Sequence, residues 1–474
     1  MAEIAVDLTK TNVVTSGPAH RVILRLALPT LAAMLSQSLV NEIDIVLFAR
    51  LPDPESSNAQ AALFPSLVLL WALGGSLSAI SVGTQAMTGR RFAEGEHDKA
   101  GAVLLNAIVF TLVGGVAFVG LGYLLQSTIL QALIKTDGPR EAAHAYLDWR
   151  MLGILSMAVT AAFKSFFDGI GKTHVHFVSA VAMNILNVLL CLVLIYGNET
   201  LGVPKMGIAG AGLAAVVATY VGLAIMVGYA LLPGYRKLYR PFELRKISGS
   251  LLWSLLKVSI PGAIATVAVM TGFALFAMIA SQLDKLDPVA VATGEPINSA
   301  AVANIVAILK LTFTACLAFG TATATLVSQS LGEKEPGKAE RFGWASVKLG
   351  LVIFGVVGLA EVVFSRQILG FVAASEAVRS AALTPLVIMG VCTPVIATAM
   401  ILTQALFGAG ATKFVMVVEL ILHFLCLVPL AWLLGVTLGW GQTGIWLAAV
   451  SYIIALAIAM VLKFRLGGWK TIKL

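Results

Sequence analysis

Charge is what this chain of 474 residues lacks most: Asp, Glu, Lys and Arg together supply 12% of it, against roughly 25% in an ordinary soluble domain. A water-exposed globular fold is thereby excluded. Cysteine is scarce too, with only Cys191, Cys316, Cys392 and Cys426. All four fall inside apolar runs, which excludes a disulfide framework or a thiolate metal site and leaves reduced packing residues. The six histidines (His20, His97, His144, His174, His176 and His423) are scattered mainly through loops and form no ligand motif, which argues against a membrane-embedded enzyme. The Gly-x-x-x-x-Gly-Lys-Ser/Thr pattern of an ATP-binding loop is absent, so direct ATP drive is not expected. The stretch Met1–Ala19 has neither the apolar core nor the small-residue cleavage site of a removable signal peptide, and the first span is expected to serve as the insertion signal.

What is abundant is apolar: 59% of the residues are hydrophobic. Crossing about 30 Å of hydrocarbon takes roughly 20 residues, and twelve runs are long enough: 22–48, 61–85, 101–125, 143–165, 175–196, 206–232, 254–280, 300–328, 343–366, 382–407, 413–437 and 441–463. Leu, Ala and Val dominate without strand alternation, so the spans are helices and not barrel strands. The expected fold is an all-α membrane protein. With the N-terminus inside, the loops and tail on that side carry about 20 Lys and Arg against 8 on the other. Lys and Arg mark the cytoplasmic side, which places both termini there and the chain in the cell (inner) membrane. The net charge of +8 then reports orientation and lipid contact and implies no nucleic-acid partner.

The chain reads twice. Shifted by 239 positions, Thr84 falls on Thr323, and Glu94, Glu96, Lys99 and Ala100 fall on Glu333, Glu335, Lys338 and Ala339. Ile129, Leu130 and Asp137 fall on Ile368, Leu369 and Glu376, while Gly169, Gly171 and Thr173 fall on Gly408, Gly410 and Thr412. Six spans separate the copies, an even number, so the repeats are parallel and should be related by a pseudo-two-fold axis along the membrane normal. The expected organisation is a cytoplasmic segment (1–21), a six-helix N-lobe (22–232), a polar cytoplasmic linker (233–250), a six-helix C-lobe (251–464) and a cytoplasmic tail (465–474). Each lobe opens with a proline in its first span, Pro29 and Pro261, where a missing backbone donor kinks a helix.

An ionised group near the bilayer centre is costly, about 3 kcal/mol on insertion scales, so charges within spans are the first candidates for function. In span 1, Gln37, Asn41 and Asp44 follow i, i+4, i+7 spacing on one helix face. Such a set can bind a proton or offer oxygens to Na⁺, a hard cation. Glu42 lies roughly 200° from Asp44 and is read as structural or modulatory. Lys310 and Glu361, both toward the outer half, are candidates for a neutralising pair. Glu419 and His423, one turn apart, are a candidate protonatable couple, with a plain buried hydrogen bond as the alternative. Met270, Phe273, Met278, Phe313 and Met400 are read as core or lipid contacts before cavity lining.

Several motifs resemble the multidrug and toxic compound extrusion (MATE) family, in order and over almost the whole chain. They are Leu26-Ala-Leu-Pro-Thr followed by Asn41 and Asp44; the loops at Gly95–Ala100 and Gly320–Glu335; and the Gly-x-Gly-x-Thr turns Gly169–Thr173 and Gly408–Thr412. The resemblance implies two six-helix lobes exporting amphipathic, often cationic compounds, driven by proton or sodium entry. It makes Asp44 the first-helix acid, and Asn184 and Asn187 the amides of the fifth helix. Where that family commonly carries a further Asn or Asp, one turn on, this chain has Cys191. A thiol is a poor ligand for a hard cation, which tilts the expected coupling ion toward H⁺. Spans 7 and 10 contain no acid, which puts a C-lobe cation site in question. The expectation is a monomeric antiporter using no cofactor, with a small amphipathic substrate and membrane lipids as its partners. The alternative is a flippase for a lipid-linked saccharide or other lipid, to which Lys310 is the one pointer.

Overall fold

The computed structural model describes residues 17–134, 136–373 and 375–474, apart from the side chains of Val40, Asn41, Glu42, Phe64 and Leu201. Among them there is one isolated bridge, Asn198–Val203, and no β-strand. Eleven helices are long and apolar enough to span a membrane, and a bent pair makes up to twelve. In chain order they are α1 (Ala19–Phe48), α2 (Glu55–Ala93), α3 (His97–Leu133), α4 (the pair Asp137–Arg150 and Gly153–Gly169, bent by 50°), α5 (Thr173–Tyr196) and α6 (Gly207–Leu231). The second set is α7 (Gly249–Leu286), α8 (Ile297–Gly332), α9 (Pro336–Val363), α10 (Glu376–Gly408), α11 (Thr412–Thr437) and α12 (Gly441–Leu466). All twelve expected spans fall on these elements. Pro29 and Pro261 lie inside α1 and α7.

The chain divides into two compact units, Leu28–Ser259 and Ile260–Leu474, the second also taking residues 17–27. The same local geometry recurs in each at the 239-residue shift. After α2, Gly95 turns at φ +77° with the Glu96 amide bonded to Arg91 O; after α8, Lys334 turns at φ +60° with the Glu335 amide bonded to Ser330 O. After α4, Gly171 turns at φ +74° with Lys172 N on Phe167 O; after α10, Gly410 turns at φ +86° with Ala411 N on Leu406 O. Positive φ costs a side-chain-bearing residue energy that glycine is spared. Close approach recurs as well. A Cβ on Gly169 would lie 2.9 Å from Gln85 O, and one on Gly408 would lie 2.3 Å from the equivalent Ala324 O. Small residues at these crossings let helix backbones meet.

The segment after each sixth helix folds back onto its own unit. In the linker, Pro233–Tyr239 is helical and buries Tyr235 and Tyr239. A Cβ on Gly101 would lie 1.8 Å from Tyr239 O, so only glycine admits this crossing. Asn106 donates to Lys246 O at 3.0 Å and accepts from Ser248 N at 3.0 Å. Burial strips water from the Lys246 ammonium, but its bonds to Asp98 and Glu243 outweigh that and hold it above the usual lysine range. In the tail, Trp469 is fully buried, stacks on Phe464 at 4.6 Å and donates its indole N–H to Phe464 O at 2.8 Å. Lys470 pairs with Glu340 at 2.6 Å.

Candidate functional site

The first unit gathers its polar side chains between α1, α4 and α5. On α5 a buried stripe runs Asn184, Asn187, Cys191 and Ile195, residues whose spacing puts them on one helix face. Asn184 donates to Ser36 Oγ on α1 at 2.7 Å. Cys191, with no exposed surface, points its Sγ at Asp44 Oδ1 and at Asn187 Oδ1, each 3.8 Å away. Tyr196 ties the C-terminal ends of α1 and α5 together by donating to Leu47 O at 2.6 Å. From α4, Arg150 acts electrostatically on Asp44 and lies 3.4 Å from the buried Tyr146 hydroxyl.

Asp44 and Asn187 are therefore brought together through Cys191, while Asn184 meets α1 at Ser36. Gln37 is exposed, and the side chains of Asn41 and Glu42 lie outside the described residues. Sequence reasoning missed Ser36, Tyr146 and Arg150. Arg150 stands at the break of α4, beside Gly153, where a Cβ would crowd its guanidinium at 2.9 Å. A charge at the edge of an apolar run followed by a small residue was the available signal.

This arrangement favours some ligands over others. Among the described residues, the oxygens in contact with Cys191 Sγ are the Asp44 carboxylate and the Asn187 amide oxygen, and the position between them belongs to sulfur. A hard cation needs several oxygens, whereas a proton needs one basic atom and a donor to exchange with. No group of three or more His, Cys, Asp or Glu suited to a metal ion occurs among the described residues. Arg150 brings a compensating positive charge near the carboxylate.

The second unit holds two buried carboxylates. Glu361 on α9, 5% exposed, accepts from Thr312 at 2.8 Å and Thr393 at 2.7 Å, so hydroxyls from α8 and α10 occupy both oxygens. Lys310, two residues before Thr312, is exposed on α8. Glu419 on α11 is 5% exposed, lies 3.3 Å from His423 Nδ1 and accepts from Tyr452 OH at 3.0 Å. Met270 and Met278 are exposed on α7, at 62% and 63%, which suits lipid contact.

The MatE family model matches the chain over residues 29–193 and 261–433. A probable multidrug resistance protein NorM of Mannheimia succiniciproducens is 24% identical over 453 residues, 93% of this chain and 91% of that protein. The protein of the same description from Caulobacter vibrioides is 25% identical over 464 residues, 94% of this chain and 92% of its own length. The crystal structure of a MATE protein in the bent conformation shares the fold, with a TM-score of 0.84 at 20% identity over 96% of this chain and 97% of the other.

Proposed function

The chain belongs to the MatE family of multi-pass membrane transporters, not enzymes, and we propose that it is a secondary active exporter of amphipathic, cationic compounds, coupled to proton entry at Asp44. Relatives named for multidrug resistance support the cargo class. One observation carries the choice of ion: the thiol of Cys191 sits between the Asp44 and Asn187 oxygens, where a sodium site would want a third oxygen. In this reading the chain lies in the cell membrane as a monomer with both termini cytoplasmic. Its two lobes are 22–232 and 251–464, joined by the linker 233–250.

Coupling requires that ion and cargo favour different conformations. Cargo enters from the cytoplasmic side while Asp44 is ionised and accepts from Cys191. A proton arriving from outside neutralises the carboxylate, which then no longer needs the thiol hydrogen or the Arg150 charge. The α1–α5 contact around Ser36, Asn184 and Cys191 loosens, and α1 repacks near Pro29, where the helix already lacks a backbone donor. Cargo affinity falls and cargo leaves outward. Fluorescence polarisation of bound rhodamine 6G tests the step: affinity should drop as pH falls in the wild type and become insensitive to pH in Asp44→Asn. Equal pH sensitivity in both proteins contradicts it. A lipid-linked-saccharide flippase is the competing reading, favoured only by Lys310 on α8, and tight rhodamine binding weighs against it.

A further inference from the structure

The repeat that pairs Gly171 with Gly410 and Thr173 with Thr412 also carries Asn184 onto His423 and Asn187 onto Cys426. Where the first unit sets amides, the second sets groups that titrate. His423 has no exposed surface. Its Nδ1 stands 2.9 Å from the Glu419 carbonyl oxygen and 3.3 Å from Glu419 Oε2. Both are acceptors, so in the neutral ring Nδ1 carries the hydrogen and the lone pair is on Nε2. That Nε2 is buried with no hydrogen-bond partner, the kind of orphan that calls for an explanation. Tyr452 of α12 closes the cluster, its hydroxyl on Glu419 Oε2 at 3.0 Å and its ring 4.5 Å from the imidazole.

The surroundings are built to admit this histidine. On α7 a Cβ at Gly272 would lie 2.2 Å from His423 Cδ2, and Phe273 meets the ring edge-on at 6.1 Å. Among the described residues, the titratable group in contact with the pair is Tyr452 from α12, and α7 meets His423 with Gly272 and Phe273. His423 lies in a π-helical segment, Leu422–Leu427, a distortion frequent at functional sites. Purely structural packing at this position would be served by an apolar side chain and a regular helix.

We propose that Glu419, His423 and Tyr452 form a second proton-binding site, contained within the second unit and independent of Asp44. One proton from water adds to the Glu419–His423 pair, taking it from one negative charge to none. The receiving atom is His423 Nε2, and the proton belongs to the pair as a unit because the Glu419 carboxylate lies against the ring. Tyr452 keeps donating to Glu419 Oε2 in both states and positions the carboxylate. The proposal goes beyond the reading of Asp44 and stands without it.

Full-length protein carrying ¹⁵N-labelled histidine, in lipid nanodiscs, tests this by NMR. The His423 ring signals are those absent from His423→Gln or, should that variant not fold, those moved by Tyr452→Phe. On acidification they should pass from the Nδ1–H tautomer pattern to that of a ring protonated at both nitrogens. Glu419→Gln should alter the proton affinity by about tenfold or more, as expected of coupled groups. Asp44→Asn should leave the titration in place. His423 signals constant on acidification, or a titration indifferent to Glu419→Gln, overturn the site. Loss of the titration in Asp44→Asn overturns its independence, and none of these results bears on proton coupling at Asp44 itself.

Discussion

A thiol has one hydrogen to give, and at Cys191 two oxygens stand equally far from the sulfur, Asp44 Oδ1 and Asn187 Oδ1, each at 3.8 Å. Which oxygen receives it depends on the charge of Asp44, so the residue acts as a local reporter of protonation. Replacing sulfur by an amide oxygen, Cys191→Asn, should give the first unit a third hard ligand. The expected outcome is Na⁺-dependent binding of rhodamine 6G in the variant and none in the wild type, read by polarisation in sodium and in choline buffers. Asp44, Asn184 and Asn187 stood out in the sequence because charges and amides are rare in apolar helices, and Cys191 stood out only against the pattern of the family that the chain resembles. Ser36, Tyr146 and Arg150 did not. The Ser36–Asn184 contact joins residues 148 apart in sequence, and helical phase within one span does not say which neighbour a face will meet. Glu361 makes the same point: its carboxylate takes two threonine hydroxyls, and threonines are too common in such helices to signal anything.

At the scale of elements, glycine and tryptophan contacts set the tolerances. A Cβ at Gly408 would lie 2.3 Å from the Ala324 carbonyl oxygen, against 2.9 Å between Gly169 and Gln85 O. Backbone cannot swing aside as a side chain can, so Gly408→Ala should destabilise the protein by about 1–3 kcal/mol, as overpacking does, and more than Gly169→Ala. Thermal unfolding in detergent checks the order. Trp469 is buried and stacked on Phe464, so Trp469→Ala should cost about 3–5 kcal/mol in the same assay. The spans themselves could be read directly from composition, since twenty apolar residues leave little choice. The 50° bend in α4 and the π-helical segments of α11, Leu422–Leu427 and Trp432–Thr437, could not. They depend on which carbonyls find partners in the packed state. The fold-back of the linker was equally hidden, because its polar composition suits a free loop as well as a docked one.

At the scale of the whole molecule, the internal repeat is the most informative property of the chain. It was visible as a shift of 239 positions, and it returns in matching turns, in glycine contacts and in the two segments, 29–193 and 261–433, matched by the family model. Parallel repeats predict that equivalent loops share a side. Glu94→Cys and Glu333→Cys should both react with a membrane-impermeant maleimide in inverted vesicles and both be protected in intact cells. Labelling from opposite sides would refute parallel repeats, and labelling of both in intact cells would reverse the orientation drawn from Lys and Arg. The repeat is unequal in its chemistry, however: an acid, amides and a thiol in the first unit, and Glu419, His423 and Tyr452 in the second. That asymmetry is invisible to composition and emerges only when the two copies are aligned residue by residue.

The central claim is that proton entry at Asp44 drives export. Its most direct test is transport in proteoliposomes loaded with ethidium, where a pH gradient and a sodium gradient are imposed separately on the wild type and on Asp44→Asn. The account predicts ethidium movement against its gradient under the pH gradient alone, lost in Asp44→Asn with the protein still folded. Movement driven by sodium alone, or undiminished in Asp44→Asn, would contradict it.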